Sequence, residues 1–227
     1  MICLEQNIKA LCVRHGIEHS EFLGDLSIEH AHELSIFDLQ AICEEYAVDM
    51  HALLFKPMFR KDVWKQKAGN IKLLVMDVDG VLTDGGMYIS ESGDQIKKYN
   101  AKDGMAIQFL RKNGVEPCII SSSLTSEMVN IRAKMLGIVK CYVGKEAKIE
   151  ILNRFCEELK INLDQVAMIG DDINDLAVIQ KIGFSACPAD AVNQVKSHVD
   201  VILSKNGGQG CVREFIDLYL LKEPISY

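Results

Sequence analysis

The stretch KLLVMDVDGVLTDGG, Lys72 to Gly86, decides how the rest of the chain is read. Leu73–Met76 form a short apolar run of the kind found in strands covered on both faces. Two carboxylates one residue apart, Asp77 and Asp79, end that run, and Gly80 follows. Burying one unpaired charge is costly, and burying two like charges side by side is worse. The pair therefore needs a compensating partner and a reason to be there.

Outward from this stretch, the chain alternates from Ile71 onward. Strand-like runs are expected at Ile71–Met76, Pro117–Ser121, Cys141–Val143, Val166–Ile169, Phe184–Cys187 and Val199–Leu203. Helix-like segments separate them at Met105–Asn113, Ser126–Leu136, Lys145–Leu159, Asp175–Lys181 and Ala189–Ser197, with Gly114 and Gly137 where helix-ending glycines belong. Short apolar runs alternating with helices predict an α/β domain, a Rossmann-like parallel sheet with helices on both faces, over residues 67–227. Such sheets bind ligands outside the carboxyl ends of their strands, so the acidic pair belongs at a site. Between Gly85 and Ile107, Ser92-Gly93-Asp94 supplies a turn between two strand-like runs, which predicts a β-hairpin flap over that site.

Residues 1–66 are different. They hold five of the six histidines and no convincing strand, and helices are expected at Asn7–His15, Ser20–Leu26, Ile28–Leu34, Ser35–Tyr46 and Met50–Phe55. Ser35, with Asp38 three residues on, is a candidate cap. This predicts a small all-α N-terminal domain, followed by the polar linker RKDVWKQKAGN.

The 227 residues, 48% of them hydrophobic, suffice for one ordinary domain and a small one. No apolar run approaches the ~20 residues that span a bilayer, so no membrane partner is expected. The opening MICLEQNIKALCVRHG lacks a basic region followed by an apolar core, so no secretory signal is expected. Eight scattered cysteines without CxxC spacing read as free thiols in a reducing cytoplasm. A net charge of −7 offers no general attraction to nucleic acid.

Four features fall at strand ends or helix starts: Asp77–Asp84, the serine run Ser121-Ser122-Ser123, Lys148, and GDDIND at Gly170–Asp175. Together Asp77, Asp79, Asp171, Asp172 and Asp175 bring up to five carboxylates toward one place. A hard divalent cation, Mg²⁺, is the obvious compensation. Lys148 and a serine hydroxyl would complement a phosphoryl group on the other side. Singly, each has a plainer explanation: aspartates in turns, a serine as a cap, a solvated helix lysine, glycines in a loose turn.

In this order the four motifs resemble the haloacid dehalogenase superfamily of phosphohydrolases over roughly residues 70–222. The resemblance implies that Asp77 is the nucleophile and becomes an aspartyl phosphate, with Asp79 as general acid and then base. It implies Mg²⁺ held by the Asp77 carboxylate, the Asp79 backbone carbonyl and Asp171, and phosphate held by Lys148 and a serine. Counting forward from Lys102-Asp103-Gly104 gives Ser121 as that serine, and counting backward from Leu136-Gly137-Ile138 gives Ser122. Ser121 is favoured because it ends the strand. An aspartate two residues after the nucleophile favours phosphomonoester hydrolysis over dehalogenation or ion pumping.

Within the superfamily, the short hairpin, YNAKDG and NGGQGCVRE resemble the capless 3-deoxy-D-manno-octulosonate 8-phosphate phosphatases of lipopolysaccharide biosynthesis. The implied substrate contacts are Lys102, Asp103, Ser122, Gly208 and Gln209, and the implied assembly is a homotetramer. Lys102 and Gln209 stand where that family often has arginine, so a sialic-acid-type nonulosonate 9-phosphate remains an alternative substrate.

The N-terminal part resembles helix-turn-helix domains of the phage-repressor type, clearest over DLQAICEEYAVDMHALLF. Their recognition helix would fall near Ile28–Leu34, where this chain has Glu29, His30, His32 and Glu33. Residues 1–66 contain six Lys or Arg and eleven Asp or Glu, a balance of −5 where DNA demands cations. A role in packing or oligomerisation is expected instead. A regulator with a phosphatase-like sensor and a phosphotransfer or mutase enzyme are the rival classes.

Overall fold

A computed structural model describes residues 2–55, 64–93, 95–123 and 127–221 of the chain. The chain divides into two compact units, Met1–Gln66 and Lys67–Tyr227.

The first unit is helical. It contains α1 (Ile2–His15), α2 (His19–Asp25), a 3-10 turn at Ala31–Glu33, α3 (Ile36–Glu45) and α4 (Met50–Phe55). Leu4, Ile8, Cys12, Ala31, Leu39, Ile42 and Leu53 make its core. Ser35 caps α3 as its sequence suggests: Asp38 N donates to Ser35 Oγ at 3.2 Å, and Ser35 N donates to Asp38 Oδ2 at 2.8 Å. The buried Asn7 amide donates to the carbonyls of Ala52 and Leu53, which α4 is too short to bond internally. The helix expected at Ile28–Leu34 is not formed. Ser27 adopts a left-handed φ of 57° and His30 is extended, so only the single turn at Ala31–Glu33 remains.

A short helix, α5 (Lys65–Gly69), runs across the division, and the second unit then opens its sheet with β1 (Leu73–Met76). The hairpin β2 (Tyr88–Ile89) and β3 (Gln95–Ile96) follows, then α6 (Ala101–Leu110), β4 (Glu116–Ser121), α7 (Glu127–Leu136) and β5 (Lys140–Val143). The chain continues through α8 (Lys148–Leu159), β6 (Val166–Ile169), α9 (Leu176–Ile179), β7 (Phe184–Cys187), α10 (Asn193–Lys196), β8 (Val201–Ile202) and α11 (Cys211–Phe215), which runs on in a wider helical turn over Ile216–Leu220. The six larger strands pair in the order β5-β4-β1-β6-β7-β8, every pair parallel.

The core explains the apolar runs. Leu73, Val75, Cys118, Ile120, Val166 and Met168 pack with Ile151, Leu152 and Cys156 of α8 and Val178, Ile179 and Val195 of α9 and α10. Their alternates Leu74, Met76, Ile119, Ala167 and Ile169 are equally buried on the opposite face, where α6 packs on β4. Each β residue is thus selected for burial, and alternation disappears.

The chain crosses from β1 to β4 and β5 on one side, then returns to β6 on the other. This switch leaves a crevice at the carboxyl end of β1, where Met76 pairs with both Ile119 and Ile169. The hairpin is antiparallel, closed by a Gly93 N to Ser90 O bond of 2.9 Å, and its Tyr88, Ile89 and Ile96 are exposed. Asp94 of the expected turn lies outside the described residues, as does Ser126 at the expected start of α7. All eight cysteines are free thiols. Among the described residues no helix is long and apolar enough to cross a membrane.

Candidate active site

Asp77 continues β1 by one residue. Its N–H bonds Ile169 O at 3.1 Å, and its Oδ1 accepts from Val78 N at 2.7 Å. The chain then leaves the sheet through a wide turn, Val78–Leu82, in which Gly80 takes a φ of 87°. A side chain at Gly80 is impossible: a Cβ there would lie 2.0 Å from Asp171 Oδ2. The glycine lets the loop after β1 and the loop after β6 press together.

The charges around Asp77 are buried and bridged. Lys148, at the start of α8, places Nζ 2.9 Å from Asp77 Oδ2 and 2.6 Å from Asp175 Oδ1. Asp175 is fully buried, and its second oxygen accepts from Asp171 N at 3.1 Å. Asp171 Oδ1 is buried without a hydrogen-bond partner. Carboxylate oxygens of Asp77, Asp171 and Asp175 lie within 4.8 Å of one another. Burial, with Asp175 adding repulsion and Lys148 opposing it, pushes the Asp77 carboxyl up to about 6. Burial and the repulsion of Asp77, Asp175 and Asp172 push Asp171 up to about 8. Burial pulls the Lys148 ammonium down, but the two carboxylates it bridges outweigh this and leave it above its ordinary value.

One ammonium against three carboxylates leaves negative charge uncompensated, and the acids respond by holding protons. A divalent cation suits this site. It would replace those protons and give the orphaned Asp171 oxygen a partner. Both oxygens of Asp175 are already engaged, so Asp77 and Asp171 carry the free lone pairs, and Asp175 orients Lys148 and the Asp171 backbone.

Asp79 is held apart from this cluster. Its Oδ1 receives Lys97 Nζ, from the residue after β3, and Thr83 Oγ1 lies 3.5 Å away. Its carboxylate is not among the clustered ligands, so any metal contact from Asp79 falls to its backbone.

The remaining sequence candidates separate. Ser121 ends β4, beside β1, with 1% exposure, and its Oγ accepts from Ser123 N at 3.1 Å; Ser122 is exposed. Gly207 and Gly208 pack on the loop after β1, where Gly208 N donates to Val81 O at 2.9 Å. A Cβ at Gly207 would lie 2.0 Å from Gly80 O. The GGQG run is therefore a brace for the Asp79 loop, while Gln209 is exposed. Lys102 is exposed too, and its N–H is capped by Asn100 Oδ1 at 2.8 Å. Asp103, expected beside substrate, is 1% exposed and is turned to the chain end, accepting from Arg213 N at 2.7 Å. Burial pushes its carboxyl up to about 6, against the pull of the Arg213 N–H and Arg132.

Sequence reasoning grouped Asp175 with the other acids without giving it a task. The signal was its spacing, four residues after Asp171, which folds its carboxylate back onto that backbone. Lys97 and Thr83 were missed, and only the hairpin's return toward the loop reveals them.

A family model for haloacid dehalogenase-like hydrolases matches residues 138–216. The 3-deoxy-D-manno-octulosonate 8-phosphate phosphatase KdsC of Salmonella typhi is 38% identical over 157 residues, 69% of this chain and 83% of that protein. A probable phosphatase of the yrbi family from Pseudomonas syringae superposes with a TM-score of 0.67 at 43% identity, covering 69% of this chain and 89% of the other. The 3-deoxy-D-manno-octulosonate 8-phosphate phosphatase of Moraxella catarrhalis, solved with magnesium ion, phosphate ion and KDO, superposes at 0.66 with 37% identity, covering 69% and 89%.

Proposed function

The chain belongs to the haloacid dehalogenase-like phosphatases, and from that premise we propose that it is a Mg²⁺-dependent hydrolase of a phosphorylated sugar acid of the 3-deoxy-D-manno-octulosonate 8-phosphate type. The carrying observation is the buried Asp77 carboxylate at the end of β1, bonded to Lys148 and facing the unsatisfied oxygen of Asp171. The substrate class rests on the named relatives from Salmonella typhi and Moraxella catarrhalis.

In this reading Asp77 attacks phosphorus, forming an aspartyl phosphate as the bond to the sugar oxygen breaks. Asp79 gives its proton to that oxygen, and the sugar acid leaves as the alcohol. Asp79 then takes a proton from water as the water attacks phosphorus, which frees Asp77 and releases inorganic phosphate. Lys148 and the Ser121 hydroxyl offset charge on the phosphoryl oxygens, and Asp175 keeps the Lys148 ammonium aimed at Asp77. Asp77, the Asp79 carbonyl and Asp171 would hold Mg²⁺, which would supply positive charge to offset that of the phosphoryl group.

The assembly we propose is a homotetramer in which the exposed apolar hairpin residues Met87, Tyr88, Ile89 and Ile96 are covered by another copy. The acidic N-terminal unit serves packing or oligomerisation rather than nucleic-acid binding.

A panel of sugar-acid phosphates assayed for phosphate release, with Mg²⁺ or with EDTA, tests the substrate. The octulosonate 8-phosphate is expected to give the highest kcat/KM, with release abolished by EDTA. A nonulosonate 9-phosphate or a neutral hexose phosphate turned over tenfold better would overturn the assignment.

A further inference from the structure

The two aspartates of the motif each have their own lysine, one from a helix packed on the sheet and one from the hairpin. Lys148 projects from α8, whereas Lys97 directly follows β3 of the hairpin. Its side chain is only 6% exposed, while that of the next residue, Lys98, is 71% exposed. An ammonium tucked away in this manner on an otherwise exposed hairpin is not a solubilising charge. Its partner is Asp79 Oδ1.

Two further contacts make the arrangement a clamp. Thr83 Oγ1 lies 3.5 Å from the same Asp79 oxygen and is itself fixed by Val78 O at 3.2 Å. Downstream of Lys97, the chain is pinned where the Asn100 amide donates to Gly208 O at 3.2 Å. Arg132 strengthens the pin by donating to Asn100 O at 3.3 Å and lying 5.3 Å over the Tyr99 ring. Oδ1 of Asp79 is thus held from the hairpin and from its own loop. Oδ2 has no hydrogen-bond partner among the described residues, and it is the oxygen left to exchange a proton with a substrate.

We infer that Lys97 is a positioning residue for proton transfer, holding one Asp79 oxygen so that the other meets the departing sugar oxygen. The inference rests on the reading of Asp79 as the acid that protonates the leaving group. Its consequence is selective. Departure of an alkoxide from a sugar phosphate needs a proton, whereas a nitrophenolate leaves with little help. A misaligned Asp79 should therefore cost kcat/KM on poor leaving groups and spare good ones, because kcat/KM covers every step through departure.

The test measures kcat/KM of Lys97→Met and Lys97→Arg on the sugar phosphate and on a series of substituted phenyl phosphates of like shape. Lys97→Met is expected to lose about 30-fold on the sugar phosphate and less than about 3-fold on p-nitrophenyl phosphate, within the range that general acids contribute. Its dependence on leaving-group basicity steepens accordingly, and Lys97→Arg recovers most of the loss. Lys98→Met serves as the control and stays at the parent values. An equal loss on every substrate would overturn the inference and make Lys97 a phosphate clamp or a structural lysine, as would an unchanged enzyme. Asp79→Asn run on the same series separates the premise from the inference. A selective loss there with none in Lys97→Met sinks only the role of Lys97, and a uniform loss there sinks the acid reading itself.

Discussion

Asp77 and Asp79 are two residues apart in sequence, yet they sit in opposite kinds of surroundings. Asp77 is 5% exposed and gripped by Lys148 of α8, the Val78 N–H and the Ile169 carbonyl of β6, with Asp175 from the loop after β6 behind Lys148. The Asp79 side chain is 38% exposed and is gripped by a hairpin and its own turn. A nucleophile must meet phosphorus along one line, so rigid elements suit it. A group that serves first a leaving oxygen and then a water benefits from a softer mount. In the proposed mechanism, the body of the domain fixes the attack and the flap tunes the proton.

The largest break in this comparison should come from the rigid side. Asp77→Asn is expected to lose roughly 10⁴-fold or more in phosphate release, since no second group replaces a missing nucleophile; steady-state turnover measures it. Lys148→Met comes next, with a fall of about 10²- to 10³-fold in kcat. That variant also strands Asp77 and Asp175 as buried, unpaired acids, so its thermal midpoint should drop at pH 8 and recover partly at pH 5.5.

Metal addition sharpens the contrast without mutation. Without metal, Asp171 and Asp77 are raised to about 8 and about 6, above their ordinary 3.8. A raised acid costs the folded state nothing below its ordinary value and its full penalty above the raised one. The metal-free protein should therefore lose stability from about pH 4 to about pH 8, while the midpoint shift produced by Mg²⁺ grows over the same window. Scanning calorimetry with and without Mg²⁺ reads both trends.

Asp103 gives the smallest effect and lies outside the metal cluster. Its carboxyl, raised to about 6, burdens the fold above that pH and not below about pH 4. Asp103→Asn keeps an acceptor for Arg213 N and removes the charge. It should raise the thermal midpoint by about 3–6 °C at pH 8 and by little at pH 4.5.

The sheet was legible because each buried parallel strand appears as an uninterrupted apolar run. Val166–Ile169 and Phe184–Cys187 coincide with their expected limits. The Ile28–Leu34 helix failed because a left-handed Ser27 and an extended His30 carry no mark in composition. The C-terminal helix was overlooked behind its glycines, although Val212, Phe215, Ile216 and Leu220 recur at helical spacing and are buried, with the Phe215 ring tilted against Phe184 at 5.2 Å. In the site, the closeness of Asp77, Lys148 and Asp171 was legible because Asp77 and Asp171 follow adjacent strands and Lys148 opens a helix. Lys97 could not be read, because a hairpin's approach to a loop is set by tertiary packing. The hydrogen bond from Arg213 N to Asp103 could not be read for the same reason: the two residues lie 110 apart in the chain.

The most direct test is chemical capture of the intermediate. Asp79→Asn mixed with p-nitrophenyl phosphate, whose leaving group departs without an acid, and Mg²⁺, quenched in acid and digested, should yield a phosphoryl group on the peptide that carries residue 77. The adduct should be absent without Mg²⁺ and absent in Asp77→Asn. Steady phosphate release with no phosphoryl group at position 77, or one mapped to another residue, would contradict the account.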